Sequence, residues 1–422
     1  MKNLLQIVRS PVFLMALTVF IDFTGFGLVI PLLPFWAERM GASALVIGLL
    51  STSFALVQFV FTPLLGALSD RVGRKPIILG SLLVEGLSFA LTALAGSLPF
   101  LFVARAIGGL GASNLGSAQA VVADVTPRES RARAMGIIGA AIGLGFIVGP
   151  ALGGVLASLG PAFPFWVSMG VALLNALLVW AFLPETRSRL TEHTSKTSLV
   201  VFGSWKKAFG NATVARLVVI NLLYMVAFAG METVFALFTQ HTFGWTAMQN
   251  GLLFTYIGVI VVLMQGGLVG PLVKWMGEQR LLLAGLLLLA GGLILLPWST
   301  HLALLLLTLG ILSAGDGAVT PIVSTLLSFA SPADAQGETL GLAQGMAGLG
   351  RMLGPLVAGS LFTVGIPLPF LLGGVLVIIA ALLALQLLRE VPRMPQAEPL
   401  NVGSLVTGTE TDALKEGEQA RV

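Results

Sequence analysis

Six ionisable side chains interrupt the long apolar stretches of this 422-residue sequence, and they have the clearest capacity for chemistry. They are Asp22, Glu85, Arg105, Glu232, Asp316 and Arg351. A charge at the centre of a membrane-spanning helix costs on the order of 2.5–3.5 kcal/mol even on a lenient insertion scale, so these groups should face a protein interior or a wet cavity. A carboxyl group in an apolar cavity can take up and release a proton near neutral pH. We treat all six as candidate proton-coupling residues, with pairing for stability as the alternative.

The apolar stretches that carry these residues are predicted to be transmembrane helices. The sequence is 56% hydrophobic and 10% charged, against about 25% charged in an ordinary soluble domain. Each stretch is long enough to cross a hydrocarbon core as a helix. The predicted fold is therefore an all-α integral membrane protein with twelve spans. The spans are 12–36, 46–67, 77–96, 99–122, 135–157, 163–183, 217–239, 249–270, 281–298, 301–325, 341–364 and 369–388.

Lysine and arginine are distributed unevenly over the connections between these spans. With both termini on one side, 20 of the 23 basic residues fall on that side and only Arg39 falls on the other, while Arg105 and Arg351 lie within spans. Basic residues accumulate in cytoplasmic loops. We therefore expect a multi-pass protein of the cell inner (cytoplasmic) membrane with both termini in the cytoplasm.

The two parts of the chain repeat each other. Gly149-Pro150 recurs as Gly354-Pro355 at an offset of 205 residues, and Gly73 recurs as Gly277 at an offset of 204. Repeats of this kind are typical of transporters, whose substrate site lies between the repeats. The predicted organisation is an N-terminal six-helix half, a cytoplasmic linker with a semi-apolar piece at 199–209, a C-terminal six-helix half and a disordered cytoplasmic tail. Their limits are 1–184, 185–216, 217–392 and 393–422.

The segment between the second and third spans, residues 66–76 (GALSDRVGRKP), contains an acid in an otherwise basic loop. It resembles the loop motif of the major facilitator superfamily. Four further segments resemble motifs of the tetracycline-type, twelve-helix drug:proton antiporters of that superfamily, in the same order. They are 22–34 (DFTGFGLVIPLLP), 101–111 with Arg105, 139–154 (GAAIGLGFIVGPALGG) and 182–186 (FLPET).

This resemblance implies two six-helix bundles and roles for particular residues. Asp70 would dock on the cytoplasmic start of span eleven, and Arg74 would bridge Asp70 and Asp124 as a latch for the outward-open state. Arg105 would take part in a proton relay, and Asp22 would be an ionisable group of the central cavity. The helix that contains the motif 139–154 would pack tightly against its neighbours and limit leak across the membrane.

Helical spacing places further residues beside the charges. Asn221, Met225, Phe228 and Phe235 share a face with Glu232. In span eleven the shared face is Gln344, Gly348, Arg351 and Pro355, and in span four it is Arg105, Ala112, Gly116 and Gln119. Aromatic and methionine side chains beside an acid suit an amphipathic, often cationic ligand, although each of them can instead face lipid or a neighbouring helix. The residues predicted to line a substrate cavity are Asn114, Gln119, Asn221, Met225, Phe228, Phe235 and Gln344.

Glycine-proline pairs at equivalent positions predict close helix packing. We expect Gly149, Pro150, Gly354 and Pro355 to pack spans five and eleven against the spans across the boundary between the halves.

Several partners are excluded by composition. The sequence has no cysteine, and its three histidines, His193, His241 and His301, are scattered, so we expect neither a metal nor another cofactor. The basic residues form no patch suited to nucleic acid. The expected partners are an amphipathic small molecule, protons and the lipid bilayer, and the expected unit is a monomer without enzymatic activity.

The function that these observations favour is proton-coupled efflux of drugs or other amphipathic compounds by alternating access. One alternative is transport of a polar metabolite such as a sugar, and a less favoured one is a non-transporting receptor. An ATP-driven pump is disfavoured because the sequence has no phosphate-binding glycine-lysine loop. Tetracycline itself is not the expected substrate, because span nine lacks the acid found in the tetracycline exporters.

Overall fold

A computed structural model describes residues 10–127, 130–186, 211–331 and 336–390, and these residues form twelve long helices. All twelve are long and apolar enough to cross a membrane. They are α1 Pro11–Glu38, α2 Ala44–Val72, α3 Arg74–Ala93, α4 Leu98–Val125, α5 Arg131–Ala157, α6 Phe163–Phe182, α7 Ala212–Phe243, α8 Ala247–Met276, α9 Glu278–Trp298, α10 Leu302–Ala330, α11 Gln336–Val364 and α12 Leu368–Glu390.

The twelve predicted spans are confirmed, and most helices are longer than predicted. For example, α7 has 32 residues and begins five residues before the predicted span, at Ala212. At 1.5 Å per residue such a helix exceeds a hydrocarbon core of about 30 Å. Apolar patterning marks only the part of a helix that lies in hydrocarbon, whereas the hydrogen-bonded helix continues into the interfacial layer.

Two helices contain an internal turn that is not α-helical, and α9 ends in a 3₁₀ turn at Leu296–Trp298. In α4 the residues Ala112–Asn114 form a 3₁₀ turn, and in α8 the residues Met264–Leu268 form a π turn. Such turns change the direction in which the following side chains point, and π turns occur frequently at functional sites.

The helices form two bundles with separate cores. One large cluster of buried apolar side chains runs from Val214 to Leu387, and α7 to α12 supply it. Two smaller clusters lie in α1 to α6, around Leu14 and around Leu28, although the second also includes Leu237 of α7. The architecture is thus two six-helix bundles. The predicted limits of the halves stay predictions, because the linker from 187 to 210 and the tail from 391 lie outside the described residues.

We call the end of the molecule where α2 meets α3, with Arg71, Arg74 and Lys75, the basic face, and the end where α1 meets α2 the opposite face. Between the membrane centre and the opposite face, glycines bring the two bundles together. A Cβ on Gly251 of α8 would lie 3.0 Å from Gly154 of α5, and one on Gly359 of α11 would lie 3.2 Å from Gly48 of α2. The bundles are therefore in backbone contact at the opposite face.

Toward the basic face the same four helices separate. Glycines on the basic-face segments of α2, α5, α8 and α11 have open space where a Cβ would be, whereas the last described contacts join Gly143 to Val262 and Gly348 to Phe59. Among the described residues, the bundles are therefore in contact toward the opposite face and separated toward the basic face, and we call the space between them the opening. The glycines with open space are Gly66, Gly136, Gly139, Gly266, Gly267, Gly270, Gly341 and Gly345.

The predicted packing of the two glycine-proline pairs is correct in part. Pro150 and Pro355 contact the other bundle, at Gly251 and Gly48 respectively. Gly149 instead packs within its own bundle, where its Cβ would lie 2.9 Å from the Leu28 nitrogen of α1. Gly354 does the same, 2.8 Å from the Gly230 nitrogen of α7. Adjacent residues on a helix point in different directions, so one pair serves two interfaces.

Candidate functional site

Asp22 lies at mid-depth in α1 and points into the N-terminal bundle. The side-chain amide of Asn114 donates to one of its carboxylate oxygens at 3.0 Å, and that of Asn175 donates to the other at 3.4 Å. Thr18 donates to the Asn175 side-chain oxygen at 3.2 Å. The 3₁₀ turn in α4 contains Asn114 and directs it at Asp22. Asp22 is thus held by α4 and α6 of its own bundle and is half-buried, and its place in a central cavity stays a prediction.

Glu85 and Arg105 complete a cluster in this bundle, and both are almost fully buried, with exposed fractions of 5% and 7%. The Glu85 Oε2 and Arg105 Nε atoms have no hydrogen-bond partner among the described residues. The Arg105 guanidinium lies 4.3 Å from the centre of the Phe54 ring, an arrangement that favours a cation. Arg105 therefore does not extend outward to the membrane surface, and we name Asp22, Glu85 and Arg105 the N-terminal cluster.

The C-terminal bundle has its own group, Tyr224, Glu232, Asp316 and Arg351, which we name the C-terminal cluster. The Tyr224 hydroxyl donates to Asp316 and lies 3.0 Å from the Thr320 hydroxyl. Glu232 interacts electrostatically with Asp316 and Arg351. In the part of the chain that the structure describes, neither Glu232 nor Arg351 has a hydrogen-bond or ion-pair partner. These two opposite charges are therefore available to a third group.

The C-terminal cluster borders the opening. Arg351 and Gln344 are exposed, and with Gly341 and Gly348 they form a stripe along α11 that ends where Pro355 meets α2. On α7, Glu232, Phe228 and Met225 are half-buried. Asn221 donates to the Ala343 carbonyl at 2.9 Å and joins α7 to α11. The Phe228 ring, the Gln344 amide and the opposite charges of Glu232 and Arg351 thus lie on adjoining surfaces of α7 and α11.

Two residues predicted for the substrate cavity lie elsewhere. Phe235 is fully buried in the C-terminal core, where its ring packs against those of Phe238 and Phe254. Asn114 is buried against Asp22. The shared face predicted for α4 is also wrong, since Arg105 is buried while Gln119 is exposed beyond the 3₁₀ turn.

The connection between α2 and α3 forms the predicted ion-pair group. Arg74 lies 2.8 Å from Asp70 and 3.3 Å from Asp124, and it also donates to the Ser69 hydroxyl at 2.7 Å. The group is present while the basic face is open, so its formation does not by itself mark a closed basic face. The side chains at the start of α11, where Asp70 was expected to dock, lie outside the described residues.

Sequence reasoning assigned no role to Glu185, although its carboxylate caps α3. It accepts hydrogen bonds from the backbone nitrogens of Arg74 at 2.9 Å and Lys75 at 3.2 Å. Gly73, at φ 115°, has no room for a Cβ beside that carboxylate. An acid at a helix N-terminus is a recognisable signal, but its distance of 110 residues from Lys75 in the chain concealed it.

Asn175 and Tyr224 were also missed as partners of the buried acids. Both are polar residues within apolar spans, so each carried a usable signal. No group of acids and histidines that could hold a metal occurs in the described ranges.

Two bundles around a central opening, with ionisable groups at membrane depth in each, define a membrane transporter. The chain belongs to the Major Facilitator Superfamily, whose sequence pattern matches residues 15–302 and 266–405.

Similar proteins include bacterial resistance proteins. Multidrug resistance protein 2 of Bacillus subtilis (strain 168) is 31% identical over 383 residues, which cover 88% of this chain and 94% of that protein. The class C tetracycline resistance protein of Escherichia coli is 30% identical over 348 residues, covering 82% and 88%. The human organic anion transporter MFSD10 (TETRAN) superposes with a TM-score of 0.68 at 26% identity, covering 89% of this chain and 99% of the human one.

Proposed function

We propose that this protein exports amphipathic small molecules in exchange for protons by alternating access. The observation that carries the proposal is the pair of ionisable clusters, one within the N-terminal bundle, where Glu85 and Arg105 are buried, and one bordering the opening. A proton-coupled transporter needs a binding site for the driving ion and a binding site for the substrate. Occupation of one site must also change the affinity of the other, which is a coupling free energy. The relatives named for multidrug and tetracycline resistance support the same class of substrate.

The proposed direction of transport is export, and it is supported by the orientation of the chain in the membrane. The excess of basic residues on the face of α2 and α3 favours placing that face and both termini in the cytoplasm of an inner membrane. The opening would then admit substrate from the cytoplasm. Because the clusters and the opening form within one chain, the proposed unit is a monomer.

The proposed substrate surface is the open side of α7 and α11. Phe228 and Met225 offer apolar contact, Gln344 offers an amide, and Glu232 offers a negative charge to a cationic group. Gln119 of α4 lies on the exposed part of the other bundle. Glu232 and Asp316 would bind a proton when the cation leaves, so proton and substrate compete at this surface.

The proposed roles of the remaining groups follow from their burial. Asp22 and Glu85 bind the driving proton, and Arg105 lies beside them; Glu85 and Arg105 are buried, and Asp22 is half-buried. Arg74, Asp70 and Asp124 hold the basic ends of α2, α3 and α4 together while the bundles move. Pro150 and Pro355 supply the close contacts on which the bundles rock, while Gly149 and Gly354 pack their helices within each bundle.

A second candidate is transport of organic anions, and Arg351 favours it. Its side chain is exposed in the opening and has no ion-pair partner in the part of the chain that the structure describes, so it is available to a carboxylate or sulfonate. MFSD10 is described as an organic anion transporter. This candidate differs from the first only in the charge of the substrate.

The test is transport into inside-out proteoliposomes under an imposed pH gradient. Three fluorescent amphipathic probes of similar size, one cationic, one zwitterionic and one anionic, should be compared with and without a protonophore. We expect accumulation of the cationic probe that collapses with the protonophore. Accumulation of the anionic probe alone would favour the second candidate, and proton-independent equilibration of all three would refute proton coupling.

A further inference from the structure

We propose that two threonines, Thr52 and Thr255, hold the opposite face closed by donating their hydroxyl groups across the boundary between the bundles. We call them the threonine pair. Together they set how readily the opposite face opens. The inference rests on the proposed alternating access, and it assigns a conformational role to two side chains that lie outside both ionisable clusters.

The threonine pair comes from a short repeat within the sequence. The segment Gly48-Leu-Leu-Ser-Thr52 of α2 recurs as Gly251-Leu-Leu-Phe-Thr255 of α8, at an offset of 203 residues. In both helices the threonine lies four residues after the glycine, which is about one turn nearer to the basic face. Residues at this spacing lie on the same face of a helix. Each helix therefore presents a glycine and a hydroxyl group along one line.

Each threonine reaches a backbone carbonyl of the other bundle. The Thr52 hydroxyl donates to the Met352 carbonyl of α11 at 2.9 Å. The Thr255 hydroxyl donates to the Ile147 carbonyl of α5 at 3.2 Å. Both acceptors lie three residues before the proline of a glycine-proline pair. A proline has no N–H to donate to the preceding turn, and hydroxyl side chains of neighbouring helices can bind carbonyls in such a turn. The two hydrogen bonds thus occupy equivalent positions of the repeat.

The hydrogen bonds lie within the contact that closes the opposite face. One turn nearer to that face, a Cβ on Gly48 would collide with the Pro355 carbonyl oxygen, and one on Gly251 would collide with that of Pro150. On α5 and α11, the last described contacts toward the basic face lie about one turn beyond the hydrogen-bonded carbonyls. The glycine contacts must separate when the opposite face opens, so the hydrogen bonds beside them must break in the same movement.

The two members of the pair differ in what they keep when the bundles separate. Thr255 also donates to the Gly251 carbonyl of its own helix at 2.9 Å, a shorter distance than the 3.2 Å of its bond across the boundary. Thr52 has no second acceptor among the described residues. A hydroxyl group that is shared between two acceptors loses less when one of them leaves. Thr52 should therefore contribute more to closure than Thr255.

The effect of the pair on the transport cycle follows from the state in which it bonds. A contact that is made in one of two states shifts the equilibrium toward that state by its own free energy. The net contribution of one hydrogen bond corresponds to about fivefold in a population ratio. The threonine pair therefore favours the state that is open toward the basic face, from which the proposed substrate enters.

The first experiment measures how often the opposite face opens. Because the sequence has no cysteine, Leu237→Cys supplies a single thiol as a reporter. Leu237 belongs to α7 but is buried in the apolar cluster around Leu28 of the N-terminal bundle. The thiol should become accessible when the bundles separate there. A membrane-impermeant maleimide is added to oriented proteoliposomes at the opposite face. The rate of modification is then proportional to the open population, even where that population is small.

The variants in this reporter background separate the hydroxyl group from the shape of the side chain. Valine has the shape of threonine without the hydroxyl, and serine keeps the hydroxyl. We expect modification to be about fivefold faster in Thr52→Val and about twofold faster in Thr255→Val. The double variant should be about tenfold faster, because effects at sites that share no partner add in free energy. Thr52→Ser should react at the wild-type rate.

Two controls distinguish closure of the opposite face from general stability. Thr62 lies on the same helix as Thr52, but its hydroxyl donates to the Gln58 carbonyl of its own helix at 2.6 Å. Thr62→Val should therefore leave the rate at Leu237→Cys unchanged. Ser313→Cys is a second reporter, at a fully buried position of α10. Its modification rate should be the same with and without Thr52→Val.

Several results would overturn the proposal. They are equal rates for Thr52→Val and Thr52→Ser, a reporter that stays unreactive in every variant, and an equal rise at Ser313→Cys, which would show a general loosening of the fold. A double variant no faster than Thr52→Val would contradict the role of Thr255. If the wild-type protein accumulates no probe under a pH gradient, the proposed function fails, while the modification rates still decide whether the threonine pair holds the face closed.

Discussion

The two halves share one architecture but treat their buried charges in opposite ways. In the N-terminal half, each Asp22 oxygen accepts an amide hydrogen bond, and Glu85 and Arg105 are sealed within the bundle. In the C-terminal half, Tyr224 donates a hydrogen bond to Asp316, but Glu232 and Arg351 lie toward the opening and have no hydrogen bond or ion pair among the described residues. A group that is fully enclosed can exchange only something as small as a proton. A group at the edge of an opening can bind a larger molecule. The two bundles, which share one architecture, can therefore serve two different functions.

The largest effect is expected at the centre of the N-terminal cluster. Asp22→Asn removes the ionisable group and keeps an acceptor for one of the two asparagines. The other asparagine can turn its amide oxygen toward the new NH2 group, so the protein should fold and insert normally. Gradient-driven uptake should fall by about 100-fold or more, the range seen when a positioned proton-transfer group is removed. Exchange of the probe at equal pH should persist.

Asp316→Asn in the other half is the matched control, since that acid is also buried and hydrogen-bonded. If Asp22→Asn concentrates the probe at the wild-type rate, the division between the halves is wrong, and Glu232 or Asp316 becomes the coupling residue.

Substitution of the packed glycines, Gly149 and Gly354, should lower thermal stability equally in the two halves. Gly149→Leu and Gly354→Leu each force a side chain against the backbone of α1 or α7, and overpacking of this kind costs about 1–3 kcal/mol. Thermal unfolding in detergent should therefore occur at a lower temperature, and transport should be impaired, while the amount inserted in the membrane is unchanged.

Gly136→Leu and Gly341→Leu, on the open parts of the same two helices, are the controls and should unfold at the wild-type temperature. A large effect at Gly149 with none at Gly354 would show that the two interfaces are not equivalent.

The charges that border the opening should set the preferred charge of the ligand. Glu232→Gln should weaken binding of the cationic probe by about tenfold, and Arg351→Gln should strengthen it, because one change removes an attraction and the other a repulsion. Fluorescence titration of the purified protein measures both.

The same site predicts a pH dependence with a definite sign. Protonation of Glu232 removes the negative charge, so wild-type affinity for the cationic probe should fall as the pH is lowered. Glu232→Gln should be less sensitive to pH. An unchanged pH profile in this variant would place the competing proton at another carboxyl group.

The smallest effect is expected at the cap of α3. Glu185→Ala removes the acceptor for two backbone nitrogens, and loss of a helix cap costs about 1 kcal/mol. Glu185→Gln should fall between the wild type and Glu185→Ala in thermal unfolding. In the other half, no atom of the described residues lies within 4 Å of a Cβ placed on the equivalent Gly277. Identical unfolding of all three proteins would show that water replaces the carboxylate without loss.

Sequence patterns predicted the fold better than they predicted the site. Length and hydropathy identified each span, and the repeated glycine-proline pairs predicted where helices approach closely. The rotation of each helix about its axis was not accessible in the same way. Because α7 is apolar on all sides, spacing alone did not show that Glu232 borders the opening while Phe235 enters the core.

The 3₁₀ turn of α4 had a similar consequence. It interrupts the helical spacing between Arg105 and Gln119, so residues that share a face in an ideal helix lie in different surroundings. The contact of Asp22 with Asn175 joins residues 153 positions apart, and no local pattern encodes it.

The kind of contact that closes the opposite face determines which conditions control the opening of that face. The two ion pairs that the structure describes both lie at the basic end of the N-terminal bundle. The bundles meet through backbone at Gly48 and Gly251 and through the hydrogen bond that the Gln240 amide donates to Glu38. Surface ion pairs weaken with ionic strength, but contacts between neutral backbones do not. Opening of the opposite face should therefore respond little to salt, and instead to the lateral pressure and thickness of the surrounding bilayer.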